Sequence, residues 1–122
     1  MTVIGLDHIQ IAMPRGREDD ARAFYSAILG FSEIKKPDAL FDRGGCWFVA
    51  GDVKLHLGVE ESFKPALKAH PAFLVESAAM METRLTASGY LISRDAPLQG
   101  YQRFFVSDPF GNRIEIMQRT KD

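Results

Sequence analysis

The sequence predicts an α+β fold of two β-α-β-β-β modules, one over about residues 4–60 and the other over about 69–118. Three observations lead there. The order of apolar strand, amphipathic helix, short strand and hairpin runs through the chain twice. Each helix stops at a glycine, Gly30 or Gly89, placed to take a left-handed cap. Each module closes on two apolar strands joined by turn-forming residues, Gly51-Asp52 in the first and Asp108 to Asn112 in the second.

Taken in order, Ile4 to Met13 carry an apolar strand pattern that Pro14-Arg15-Gly16 ends. Glu18-Asp19-Asp20 then suit the positive start of a helix, and Ala21, Phe24, Tyr25, Ile28 and Leu29 form one apolar stripe. A short strand, Ser32 to Lys35, leads through the Pro37 loop and Arg43-Gly44-Gly45 to the hairpin arms Cys46–Ala50 and Val53–Val59. The charged, proline-interrupted stretch from Glu60 to Lys68 reads as a connector with no packed helix. The second module starts with a strand from His70 to Glu76. Ser77 follows as N-cap of a helix that places Ala78, Met81 and Leu85 on one face. A strand near Tyr90 to Ser93 and the arms Gln102–Ser107 and Arg113–Gln118 complete it. In this register Leu29-Gly30-Phe31 matches Ser88-Gly89-Tyr90 at an offset of 59, and Phe48-Val49 matches Phe105-Val106 at 57.

At 122 residues with 46% hydrophobic side chains, the chain suits a single domain with a core that needs no staples. A formal net charge of -1 with no block of like charge gives no footprint for nucleic acid. No apolar run approaches the ~20 residues of a membrane span, and the start lacks a secretion signal, so a cytoplasmic protein is expected. The single cysteine, Cys46, opens a strand and reads as a buried, inert thiol.

Four polar residues break the apolar strand pattern at matching places. His8 lies in the first strand of module one and His70 opens that of module two; His56 lies in the last strand of module one and Glu115 in that of module two. Strand side chains alternate faces, so His56 opposes Leu55 and Leu57, and Glu115 opposes Ile114 and Ile116. If the modules pair by a pseudo-twofold, the four converge on the face away from the helices. Three nitrogens and a carboxylate suit Zn²⁺, Ni²⁺, Co²⁺, Fe²⁺ or Mn²⁺. The plainer alternative is that they sit on solvated faces of half-exposed strands. Arg43, Lys54 and Arg103 are candidates to meet an acidic group of a small-molecule substrate, and Trp47, Phe104 and Phe105 to line an apolar wall.

Asp7-His8-Ile9-Gln10-Ile11-Ala12, Ala23-Phe24-Tyr25, Ile28-Leu29-Gly30-Phe31 and the stretch Asp108 to Glu115 together resemble the vicinal oxygen chelate superfamily. That superfamily includes glyoxalase I, fosfomycin-resistance transferases, extradiol dioxygenases, methylmalonyl-CoA epimerase and bleomycin-binding proteins. The resemblance implies paired modules that curl mixed sheets around a cavity, helices on the outer face, homodimerisation and a central divalent metal. By position, His8, His70 and Glu115 fall on the ligands. His56 falls where glyoxalase I has a ligand glutamate that moves the substrate proton, and near the noncoordinating acid-base histidine of extradiol dioxygenases. It therefore stands as either a ligand or a base, with Glu115 the other candidate base. A metal-dependent lyase or isomerase acting on a vicinally oxygenated molecule is expected. Two alternatives are an extradiol dioxygenase, against which Phe105 replaces the tyrosine ahead of the final turn, and a non-catalytic drug- or antibiotic-binding protein.

Overall fold

The computed structural model describes residues 1–121 and divides into two compact units, 1–64 and 65 onward. Unit one contains a four-stranded mixed sheet in the order β1 (Ile9–Met13), β4 (Val53–Val59), β3 (Cys46–Ala50), β2 (Ser32–Ile34). β1 runs parallel to β4, and the other pairings are antiparallel. Unit two repeats the plan with β5 (Ala72–Leu74), β8 (Arg113–Arg119), β7 (Tyr101–Ser107) and β6 (Ile92–Ser93), β5 again parallel to β8. This is the α+β architecture expected. No helix among the described residues is long and apolar enough to cross a membrane.

Each sheet buries one face under its own helix. In unit one, α1 (Glu18–Ala21) widens after one turn into a π-turn over Arg22–Ser26, with Ala27 N donating to Arg22 O and Leu29 N to Phe24 O. The neighbouring rings of Phe24 and Tyr25 are both fully buried, and Tyr25 packs 5.9 Å from Phe48. The sequence predicts an unbroken amphipathic helix here. The difference is one residue: 13 positions separate the N-cap Arg17 from Gly30, against 12 from Ser77 to Gly89. The wide turn absorbs the extra residue without breaking the helix. In unit two, α2 (Ala78–Ala87) packs on β6, β7 and β8, burying Met81 and Leu85 near Phe104, Ile114 and Ile116. Ser77 caps it as expected, its side chain accepting from Met80 N. Gly30 and Gly89 both take φ of 88°, the left-handed conformation that stops each helix.

Three differences from expectation bear on the site. β1 begins at Ile9, not Ile4, because its ladder ends at the Ile9–Leu55 pair; Val3, Ile4 and Leu6 are exposed. β5 covers only Ala72–Leu74, so His8 and His70 both sit just ahead of a strand. The Pro37 loop contains a 3₁₀ helix over Asp38–Arg43. Cys46 is buried, and burial pushes its thiol up to about 11, consistent with an inert side chain.

Candidate functional site

The sheet registers put the four polar residues at equivalent places, each within its own unit. In unit one His56 on β4 is flanked by Gln10 on β1 and Trp47 on β3. In unit two Glu115 on β8 is flanked by Ala72 on β5 and Phe105 on β7. His8 precedes Gln10 by two residues and His70 precedes Ala72 by two, so each histidine shares a face with the strand residue it approaches. The pairing also matches Trp47 to Phe105, one residue away from the Phe48–Phe105 match expected from sequence. Phe48 and Phe104 therefore belong to the helix-facing core. Phe104 is 1% exposed opposite Ile116, so it is not a wall of the site.

In unit one the rings form a stack of three. The indole of Trp47 lies flat on His56, centroids 3.7 Å apart at 1°, and His8 covers the other side at 4.2 Å and 20°. Burial and then the nearby His8 favour the neutral His56 imidazole and hold it below its usual pKa, outweighing the opposing pull of the Asp7 carboxylate. Imidazole lone pairs lie in the ring plane, so those of the stacked His8 and His56 run side by side instead of towards a common point. His8 Nδ1 is 2.9 Å from Asp7 Oδ1, and Lys54 Nζ stands 3.7 Å from Asp7 Oδ2. That contact to His8, followed by Lys54, keeps the Asp7 carboxyl below the usual carboxylate range.

In unit two His70 bridges two acceptors. Its Nδ1 is 3.0 Å from the Lys68 carbonyl and its Nε2 is 2.9 Å from Glu115 Oε1. The second oxygen of Glu115 accepts from Arg103 Nη1 at 3.1 Å, while Arg103 Nη2 donates to Ala96 O. Arg103 Nε is buried without a hydrogen-bond partner among the described residues. Phe105 meets the His70 ring edge-on at 5.2 Å and carries Arg113 over its face at 3.8 Å.

Each unit carries donors of a kind that suits a divalent cation. Ligating histidines nearly always donate their second ring N–H to a carboxylate or carbonyl, which fixes the tautomer and frees the other nitrogen. With the proton on Nδ1, Asp7 does this for His8 and the Lys68 carbonyl for His70, and the lone pair of His70 Nε2 then faces Glu115 Oε1. Within either unit, among the described residues, no three His, Cys, Asp or Glu side chains gather in a group that could hold a metal ion; each unit has a candidate pair.

Of the cations nominated from sequence, Arg103 is engaged with Glu115 and Lys54 faces Asp7. Arg43 makes no hydrogen bond or ion pair among the described residues and borders a cavity together with Trp47. Sequence reasoning missed Asp7, Lys36, Gln10 and Arg113. An acidic residue directly ahead of a candidate ligand was the available signal for Asp7; nothing in the sequence signals the others.

A family model for the glyoxalase/bleomycin resistance protein/dioxygenase superfamily matches residues 5–116. The chain belongs to this superfamily. A superfamily member from Bacillus anthracis, assigned to the glyoxalase family, is 46% identical over 98% of both chains, with a TM-score of 0.93. Two more distant superfamily structures share the fold. The fosfomycin resistance protein FosX from Listeria monocytogenes is 19% identical over 98% of this chain and 97% of that one, with a TM-score of 0.76. TnmS3, an antibiotic binding protein from Streptomyces sp. CB03234, is 18% identical over 98% and 99%, with a TM-score of 0.74. A search of curated proteins returns no match. Proteins of this superfamily include metalloenzymes and small-molecule binders.

Proposed function

We propose that the chain is a divalent-metal-dependent enzyme acting on a small, vicinally oxygenated molecule by lyase or isomerase chemistry. One observation carries the reading: both His8 and His70 have Nδ1 within hydrogen-bond distance of an acceptor, Asp7 or the Lys68 carbonyl. Two histidines with such acceptors, at equivalent positions of the repeat, support a ligand role over that of solvated strand polar groups.

In this reading His8 Nε2, His70 Nε2 and Glu115 would hold the ion, drawn from the units of one chain or of two copies. When bound, the ion supplies Lewis-acid stabilisation of an oxyanion developing on the substrate, which is worth several kcal/mol. Arg103 fixes the Glu115 carboxylate through Oε2. His56 is assigned as the proton-moving group and not as a ligand, because its ring is stacked parallel to His8. A neutral imidazole clamped by Trp47 can accept a proton from substrate and return it elsewhere with no change of ring orientation. Trp47 and Phe105 keep water from the flanks of His56 and Glu115. Phe105 opposite Glu115 has no hydroxyl to trade a proton, which disfavours ring cleavage.

The working form is proposed to be a homodimer, in which a second copy covers the exposed Val3, Ile4 and Leu6. Sedimentation velocity checks this.

Elemental analysis of untagged protein tests the metal assignment. Near-stoichiometric divalent metal is expected, lost in His8→Ala, His70→Ala and Glu115→Ala but retained in His56→Gln. A metal-free protein whose stability ignores chelator would overturn it. Assays with methylglyoxal plus glutathione, and with a catechol under air, separate isomerase from oxygenase chemistry.

A further inference from the structure

Arg43 and Lys36 stand together at the rim of a cavity of 230 Å³ in unit one, whose walls include Gln10, Leu40, Trp47 and Gly58. No aspartate or glutamate lines it. Lys36 is half-buried and donates one N–H to the Gly44 carbonyl, while Arg43 has no partner among the described residues. Two cations share this space without an acid to neutralise them. Several other basic side chains of the unit are paired: Arg22 binds Asp19 and Glu33, Arg17 binds Asp20, and Lys54 faces Asp7.

The loop that carries Arg43 is built to hold its place. Gly44 and Gly45 follow the 3₁₀ helix with φ of 77° and 81°. A Cβ on Gly45 would stand 2.0 Å from the Leu57 carbonyl oxygen, so only glycine permits this approach to β4. Glu18 reaches the loop from the first helix, and its Oε2 accepts from the Gly45 N–H at 2.8 Å. Gly58 plays a similar part inside the cavity, where a Cβ would fall 2.6 Å from Gln10 Nε2; its absence lets the Gln10 amide lie across the strand.

The cavity also adjoins the candidate site. Gln10 and Trp47 are the two residues that flank His56 in the sheet, and the Trp47 ring rests on the His56 imidazole. We infer that this cavity is a carboxylate-binding subsite: Arg43 and Lys36 take the acid end of the substrate, and the flat wall of Trp47 carries its apolar or unsaturated body towards His56. The inference rests on the proposed function and narrows its substrate class to small oxygenated acids. Arg43 presents a planar fork that can engage both carboxylate oxygens, and Lys36 adds a point charge.

Trp47 is the only tryptophan, so intrinsic fluorescence reports directly on this wall. The probe is sodium benzoate, compared with neutral benzamide, titrated into full-length protein at low and at high sodium chloride. Benzoate should change the emission saturably and benzamide should not, and salt should weaken the benzoate response. Arg43→Gln and Lys36→Met should each weaken benzoate at least fivefold, whereas Arg84→Gln, which removes an exposed charge on α2, should not. Arg43 is exposed, so its variant tests binding without disturbing the core. Equal response to benzoate and benzamide, no response to either, or unchanged affinity in both variants would overturn the subsite. Metal content measured on the same samples keeps the two readings apart. Arg43-dependent benzoate binding in protein that takes up no metal would retain the subsite and remove the metal assignment, and metal uptake without charge-selective binding would do the reverse.

Discussion

His70 Nε2 stands 2.9 Å from Glu115 Oε1 although His70 Nδ1 is already engaged with the Lys68 carbonyl. A neutral imidazole that has committed its one proton to Nδ1 meets the carboxylate as lone pair against lone pair. Such a contact is satisfied only with a positive charge between the atoms, either a second proton or a metal ion. Zn²⁺ added to metal-stripped protein should therefore raise the unfolding midpoint, by about 2.7 kcal/mol of stability at a hundred times its dissociation constant. Calorimetric melts with and without Zn²⁺ check this, and the gain should vanish in Glu115→Ala.

Arg103 should matter most when no metal is present. Its guanidinium is the one hydrogen-bond partner of Glu115 Oε2 among the described residues, and both side chains are largely buried. Arg103→Met leaves that carboxylate oxygen without its counter-charge, a loss of about 3 kcal/mol in chelator-treated protein. Urea unfolding should show a smaller loss once Zn²⁺ is bound. Equal losses in both forms would mean that Arg103 acts only as a packing element.

The glycines of the 3₁₀ loop and of the first hairpin make a matched test. Gly45→Ala brings a Cβ within 2.0 Å of backbone, and Gly51→Ala meets nothing within 4 Å; both positions have positive φ. Gly51→Ala should cost about 1 kcal/mol of backbone strain and Gly45→Ala at least twice that. Denaturant midpoints give the comparison.

Cys46 should resist thiol reagents in native protein at pH 8 and react only on unfolding. Its thiol is raised from 9.0 to about 11, chiefly by burial, so the folded state holds that proton more tightly than the unfolded state does. The resulting stability is fully present below pH 9 and is lost as pH rises towards 11, on the order of 2 kcal/mol in all. Cys46→Ala should flatten that alkaline slope in stability measured from pH 8 to pH 11.

The repeat was legible because its markers are local. Gly30 and Gly89 each end a helical stripe, and Asp108 to Asn112 can scarcely be other than a turn, so helices and hairpins fell where patterning put them. The ends of β1 and β5 were not legible, because Ile4 and Leu6 are apolar enough for a strand and only the partner ladder decides where pairing stops. The four candidate site residues stood out by breaking the strand pattern. Their supports did not: Lys36 and Arg113 look like any surface cation until Gly44 or Phe105 is seen beneath them. Phe104 and Phe105 are neighbours of the same type, and only the pairing with Ile116 and Glu115 separates core from site.

The extra residue of the first helix has a consequence for how the two halves can diverge. Its length difference is swallowed on the outer layer, while the rows Gln10–His56–Trp47 and Ala72–Glu115–Phe105 keep step with each other. Insertions of one residue are thus cheap in a helix that can swell and ruinous in a strand, where a single slip would turn every reactive group to the wrong side. Ancestral halves of unequal size could drift apart in their wrapping while their chemistry stayed in register.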